Sequence, residues 1–263
     1  MKQTKLVKKL SDSLKQLKCN RYLHHYGPKK YKFVEHAFAL LIKEVCQMSF
    51  RRLSSFLNNL GISCPTYSAL CKSRKRIPLS IWQKLLKLTA GLSSGEIAID
   101  GTGYHKTNPS FHYIKRIDRQ VPTRGYVKLS AFVDVKTKKF RAIRVRSKQR
   151  HDVKDVKYLL KQDDVKVLYG DTGYCAEWIH ELCYWTGIKT VIKPRKKFSK
   201  GYFRRKQFEN HEDYNYGLRS NVECGFSCIK RKYGTSVKSK KIAGLRAELY
   251  LRAIAHNMRL LLN

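Results

Sequence analysis

Residues 165–174 read VKVLYGDTGY, and the same shape occurs upstream at residues 97–104, IAIDGTGY. Each is a short apolar run, then an aspartate, then a turn of small residues. An apolar run of this length bounded by glycine reads as a strand buried on both faces, which places it in a sheet covered by helices. An aspartate at the end of such a strand points into the crevice where open α/β sheets bind ligands. For Asp100 and Asp171 alike the competing reading is structural, because Asp also opens turns and caps helices by accepting a backbone N–H.

Strand-like period continues on both sides of these runs. Residues 126–135 and 140–145 flank the charged turn 136–139 as a hairpin. Residues 176–185 read as an amphipathic helix, 190–193 as a strand, and 216–232 and 243–262 as helices. Upstream of the glycine-bounded linker 91–95 the period is helical, with helices at 33–47, 49–60, from 65–66 onward, and 78–88. Leu6, Leu10, Leu14 and Leu17 mark a further basic helix within residues 1–32. The expected fold class is α/β: a mixed sheet flanked by helices over residues 93–263, behind an all-α region over residues 1–92.

The chain has 263 residues, 42% of them hydrophobic, enough for a real core and too many for a disordered chain. Its 56 Lys and Arg against 19 Asp and Glu leave a formal charge of +37, which implies a polyanionic partner. Nucleic acid is favoured over anionic membrane because the basic residues are spread along the whole chain. No apolar run is long enough to span a bilayer and no secretory signal is visible, so a cytoplasmic, DNA-associated protein is expected. The eight cysteines form no C-x-x-C pair, so reduced thiols are expected instead of a zinc ribbon.

Within the N-terminal region, helix, glycine turn and a second helix carrying Lys72, Arg74, Lys75 and Arg76 match what a helix-turn-helix needs to place cations in a major groove. A small helical bundle with a basic end fits equally well. Near the other end, residues 216–234 read YGLRSNVECGFSCIKRKYG. Tyr216, Arg219, Glu223 and Lys230 are spaced by three, four and seven, which returns each to one face of a helix. Arg219 and Glu223 could simply pair in water, but that leaves the phenol and the two glycine-flanked aspartates unexplained.

Taken together, D-G-T, G-D-x-G-Y and Y-(2)-R-(3)-E-(6)-K resemble the DDE transposases of prokaryotic insertion sequences over about residues 95–262, and SFRRLSSFLNNLG at 49–61 resembles their N-terminal DNA-binding region. The resemblance implies a ribonuclease-H-like catalytic core. It implies that Asp100, Asp171 and Glu223 hold two Mg²⁺ ions, with Mn²⁺ able to substitute, and that Tyr216, Arg219 and Lys230 position the DNA. Hard cations prefer such oxygen donors, and a metal pair suits in-line phosphoryl displacement. The implied partners are double-stranded DNA, both element ends and target, and further copies of the chain in a dimeric or larger synaptic assembly.

The implied activity is cleavage at the terminal inverted repeats and transfer of the freed 3′-hydroxyls. A ribonuclease-H-fold nuclease without strand transfer and a non-enzymatic basic DNA-binding protein are the alternatives. With 52 positions between Asp171 and Glu223, a compact core without a large insertion is expected. Trp178 is expected to pack with Ile179 and Leu182, and Asp134 is a weaker rival for the metal than Asp100.

Overall fold

The computed structural model describes residues 5–23, 29–106, 126–148, 150–194, 201–208 and 215–262. It separates into two compact units, Met1–Gly91 with Ile229–Gly234 and Ser239–Asn263, and Leu92–Cys228 with Thr235–Lys238. The terminal helix, at the end of the expected block 93–263, groups with the N-terminal helices.

The helical unit contains α1 (Lys5–Gln16), α2 (Phe33–Cys46), α3 (Phe50–Asn59), α4 (Tyr67–Arg76), α5 (Leu79–Ala90) and the terminal helix α10 (Ile242–Leu262). Ser49 caps α3 by accepting from Arg52 N–H, and Thr66 caps α4 by accepting from Ala69 N–H. Gly61 turns the chain between them at φ +69°, a conformation that favours glycine. The core is built from Leu40, Leu53, Leu57, Leu70, Trp82, Leu85, Leu249 and Ile254. The buried face of α2 includes Glu44 while Val45 is exposed, so the face is rotated from the one its apolar residues suggest. The reason lies in α10, whose buried Arg252 bonds both Glu44 and Glu248. That partner is distant in sequence and draws a carboxylate inward.

The described residues of the second unit form a six-stranded mixed sheet in the order β3-β2-β1-β4-β5, with β6 also on β1. Its strands are β1 (Glu96–Lys106), β2 (Tyr126–Asp134), β3 (Phe140–Arg146), β4 (Val167–Gly170), β5 (Lys189–Ile192) and β6 (Ser236–Val237). The hairpin β2–β3 is antiparallel, as is β1–β2, whereas β4, β5 and β6 join in parallel. Helices α6 (Val156–Leu160) and α7 (Glu177–Trp185) cover one face through Val156, Leu159, Ile179 and Cys183 against Ile97, Ile99, Phe132 and Leu168. The opposite face takes α9 (Ser220–Tyr233), where the Phe140 and Phe226 rings lie 6.0 Å apart.

Several local expectations change. β1 does not stop at Asp100 but runs on to Lys106, because Gly101 and Gly103 pair with Ser130 and Lys128 of β2. Glycine disfavours strands in isolation, and here the Tyr126 ring fills the space over Gly103 that a side chain would take. Residues 216–219 form a 3₁₀ turn before α9 instead of its first helical turn. Gly217 donates to Asn215 Oδ1 at 2.9 Å, an Asx turn that competes with the helix. A short helix α8 (Tyr202–Phe208) forms in the basic stretch after β5.

Candidate active site

The parallel pairing of β1 with β4 ends at Ala98↔Tyr169. Asp100 and Asp171 each lie two residues beyond that pair, so they emerge at one level from neighbouring strands, which run about 4.8 Å apart in any sheet. Each carboxylate is anchored by its own turn. Gly101 N–H donates to Asp100 Oδ1 at 2.7 Å, and Gly173 N–H donates to Asp171 Oδ1 at 2.9 Å. The structural reading of these aspartates thus describes part of what they do. It does not account for their charge. Burial pushes the Asp100 carboxyl above the usual carboxylate range; the negative charges of Asp171 and Glu223 push the same way, and the Gly101 N–H and Arg219 only partly offset them.

Beneath the two aspartates lies Tyr174, 1% exposed, whose hydroxyl has no partner among the described residues. Burial first, then the charges of Asp100, Asp171 and Asp155, raise its phenol above the usual tyrosine range. From the sequence alone no role follows for this tyrosine. Its position in the G-D-x-G-Y turn was the available signal.

Glu223 arrives from the other side on α9. That helix approaches the sheet closely because Gly225 has no side chain: a Cβ there would sit 3.2 Å from Phe140 Cζ. Asn221 Nδ2 donates to the Val135 carbonyl at 3.0 Å and sets the start of the helix. The Glu223 side chain is 51% exposed and pairs with Arg219 Nη1 at 2.7 Å. The Arg219 guanidinium is 6.0 Å from the Tyr216 ring centre, since positions three apart eclipse in a 3₁₀ turn. Tyr216 and Arg219 therefore do share a side with Glu223, though by a different geometry from a continuous helix. Burial raises the Tyr216 phenol, opposed by Arg219 and reinforced by Asp171 and Glu223.

Across residues 92–258 the sequence matches the family model described as a transposase DDE domain. The chain belongs to that family. No curated protein matches it. Among solved structures, a cryo-EM structure of the piggyBac transposase synaptic complex with hairpin DNA is similar at 10% identity and a TM-score of 0.47, covering 96% of this chain and 70% of that one.

DDE transposase domains use divalent metal ions. The donors in this DDE domain suit such an ion chemically, being carboxylates instead of thiols or imidazoles. Their placement is less complete: among the described residues no three His, Cys, Asp or Glu side chains are gathered closely enough to hold a metal. Glu223 is engaged by Arg219 instead.

Asp134, the rival acid of the DDE domain, is fully buried and accepts from the N–H groups of Ser94, Lys136 and Thr137 at 2.8, 3.0 and 2.8 Å. Burial opposes its ionisation, but those donors outweigh it and hold the carboxyl below the usual range. It is a turn cap. Lys230 lies about two helical turns beyond Glu223 on α9, in the part that groups with the helical unit, and burial lowers its ammonium. On α4, Lys72, Lys75 and Arg76 are exposed, whereas Arg74 lies over the Phe50 ring at 5.0 Å. Trp178 is 39% exposed, contrary to the packed position expected, because Ile179 and Cys183 at i, i+4 form the face that α7 buries. No helix among the described residues is long and apolar enough to cross a membrane.

Proposed function

We propose that the chain is the transposase of a prokaryotic insertion sequence, of the group carrying Y-(2)-R-(3)-E-(6)-K. In this reading it binds terminal inverted repeats, cleaves DNA there and transfers the 3′-hydroxyl ends to target DNA. The observation that carries it is that Asp100 and Asp171 stand level at the ends of the parallel pair β1 and β4 in a protein of net charge +37. Acids are scarce in this chain, and two of them, Asp171 and Glu223, add to the cost of ionising a third, Asp100. The sheet order with a single antiparallel insertion, β2, fits a ribonuclease-H-like core.

Asp100, Asp171 and Glu223 would hold two Mg²⁺ or Mn²⁺ ions, which when bound supply activation of the attacking oxygen and stabilisation of the departing one. The chain's own groups do the positioning. An i, i+4 pair such as Arg219–Glu223, with its carboxylate half in water, is worth only about 0.3–0.5 kcal/mol, so a DNA phosphate can take the guanidinium in bidentate fashion and free Glu223 to join the aspartates. Tyr216, beside Arg219, would bond the same strand, and Lys230 would add a point charge further along α9. The cations Lys72, Lys75 and Arg76 of α4, with Arg74 behind them, would contact the repeat through a helix-turn-helix-like arrangement of α3 and α4. Joining two ends calls for a synaptic dimer or larger assembly on DNA.

The test is Mg²⁺-dependent cleavage and joining of repeat-containing DNA by the purified protein. Asp100→Ala and Glu223→Gln are expected to abolish both steps while repeat binding persists, and full activity in either variant rejects the assignment. Cleavage without joined products would instead identify a nuclease.

A further inference from the structure

Strand alternation puts Gly101 and Gly103 on the sheet face opposite Asp100. Directly across from them in β2 are Ser130 and Lys128, and beyond those in β3 are Arg144 and Arg146. This face is apolar at Ile97, Ile99 and Phe132 and turns polar here, where a cavity of about 480 Å³ is lined by Tyr126, Lys128, Arg150, His151 and Asp152. The two glycines leave room for three of the side chains that line it. A Cβ at position 101 would sit 2.8 Å from Asp152 Oδ2 and 3.1 Å from Lys128 Cε, and one at 103 would collide with the Tyr126 ring.

The charges around this cavity do not balance. Lys128 pairs with Asp152, and Arg144 and Arg146 both pair with the fully buried Asp155, which also accepts from Ser130 Oγ at 2.6 Å. With Arg150 added, four cations face two carboxylates. Arg146 keeps Nε and Nη1 buried and without hydrogen-bond partners among the described residues, as do Asp152 Oδ1 and Asp155 Oδ1 beside it. Burial and the neighbouring Arg146 lower the Lys128 ammonium below the usual lysine range. An excess of positive charge around a cavity is stabilised by an anion, and the cavity exceeds what a bare phosphate needs.

We propose that this cavity holds a phosphodiester of a DNA strand, its phosphate against Lys128 and Arg150 and the attached sugar or base beside Tyr126 and His151. The proposal rests on the reading of DNA as the partner, and adds a strand-binding subsite on the sheet face that the carboxylates do not use.

The experiment uses the full chain in EDTA, so that no cleavage occurs, and follows binding of a short duplex and a single strand as salt is raised. Arg150→Gln removes an exposed side chain whose backbone carbonyl, the acceptor for Lys128 Nζ, stays in place. It is expected to flatten the slope of log K against log salt by about 0.9 on duplex or about 0.7 on single strand, the loss of one phosphate contact. Lys161→Gln, the same charge change on an exposed residue after α6, is expected to leave the slope unchanged. An unaltered slope in Arg150→Gln, or an equal loss in Lys161→Gln, overturns the proposal. So does inorganic phosphate raising the thermal midpoint of wild type, but not of Arg150→Gln, as much as the oligonucleotide does, since the cavity would then take a free anion. Cleavage assayed separately with Mg²⁺ distinguishes the two readings: intact cleavage with an unaltered slope sinks the cavity alone, and a flattened slope without cleavage sinks the catalytic assignment alone.

Discussion

Glu44 and Glu248 of the helical unit and Asp100 of the sheet unit are carboxylates held in opposite ways. In the helical unit Glu44 and Glu248 are fully buried, yet each is satisfied: Arg252 bonds Glu44 at 3.3 Å and Glu248 at 2.9 Å, Lys43 reaches Glu44 at 2.5 Å, and Ser239 donates its N–H and hydroxyl to Glu248 at 3.1 and 2.7 Å. In the sheet unit Asp100 receives one backbone donor and the repulsion of two other acids. A satisfied buried charge holds a fold together. An unsatisfied cluster of one sign holds a place for a counter-charge.

The contrast has measurable consequences. Arg252→Ala leaves two buried carboxylates without their guanidinium and is expected to cost about 3–5 kcal/mol in chemical denaturation. A loss below 1 kcal/mol would show that the network is dispensable. Asp100→Asn is expected to act in the opposite direction, raising the thermal midpoint at pH 7 while removing activity. The sign follows from linkage: a carboxyl whose folded pKa lies above its unfolded value destabilises the fold once ionised, and this penalty vanishes as pH falls below the ordinary Asp value of about 3.9. The gap between variant and wild type should therefore close on acidification, and a midpoint that drops at pH 7 would contradict the crowding of charge at Asp100. Smallest is Arg219→Gln, expected to change stability by no more than about 0.5 kcal/mol because the Glu223 end of its pair is half in water, while weakening DNA binding.

Much of the sheet unit was legible. The hairpin, the strand before Asp171 and the helix after it follow from periodicity and turn residues, which act over a few positions. The same rules failed at residues 101–106, where glycines suggested a turn and the strand continues because β2 pairs with it and Tyr126 packs over Gly103. They failed again at residues 216–219, where an Asx turn took the place of helix. Tyr174 and Gly225 escaped notice because their importance is a matter of what lies across from them: two aspartates in one case, the Phe140 ring in the other.

From composition and spacing alone came the polyanionic partner, the α/β class and the three acids worth isolating, since net charge, hydrophobic period and residue type are carried by the chain whatever its path. Which acids crowd one another was settled only by the fold. Asp100 and Asp171 stand level because β1 and β4 pair in parallel, Asp134 is withdrawn by three N–H donors, and the terminal helix joins the N-terminal ones through a buried Arg252. Electrostatic energy depends on distances between residues far apart in sequence, and those distances exist only once the sheet has closed.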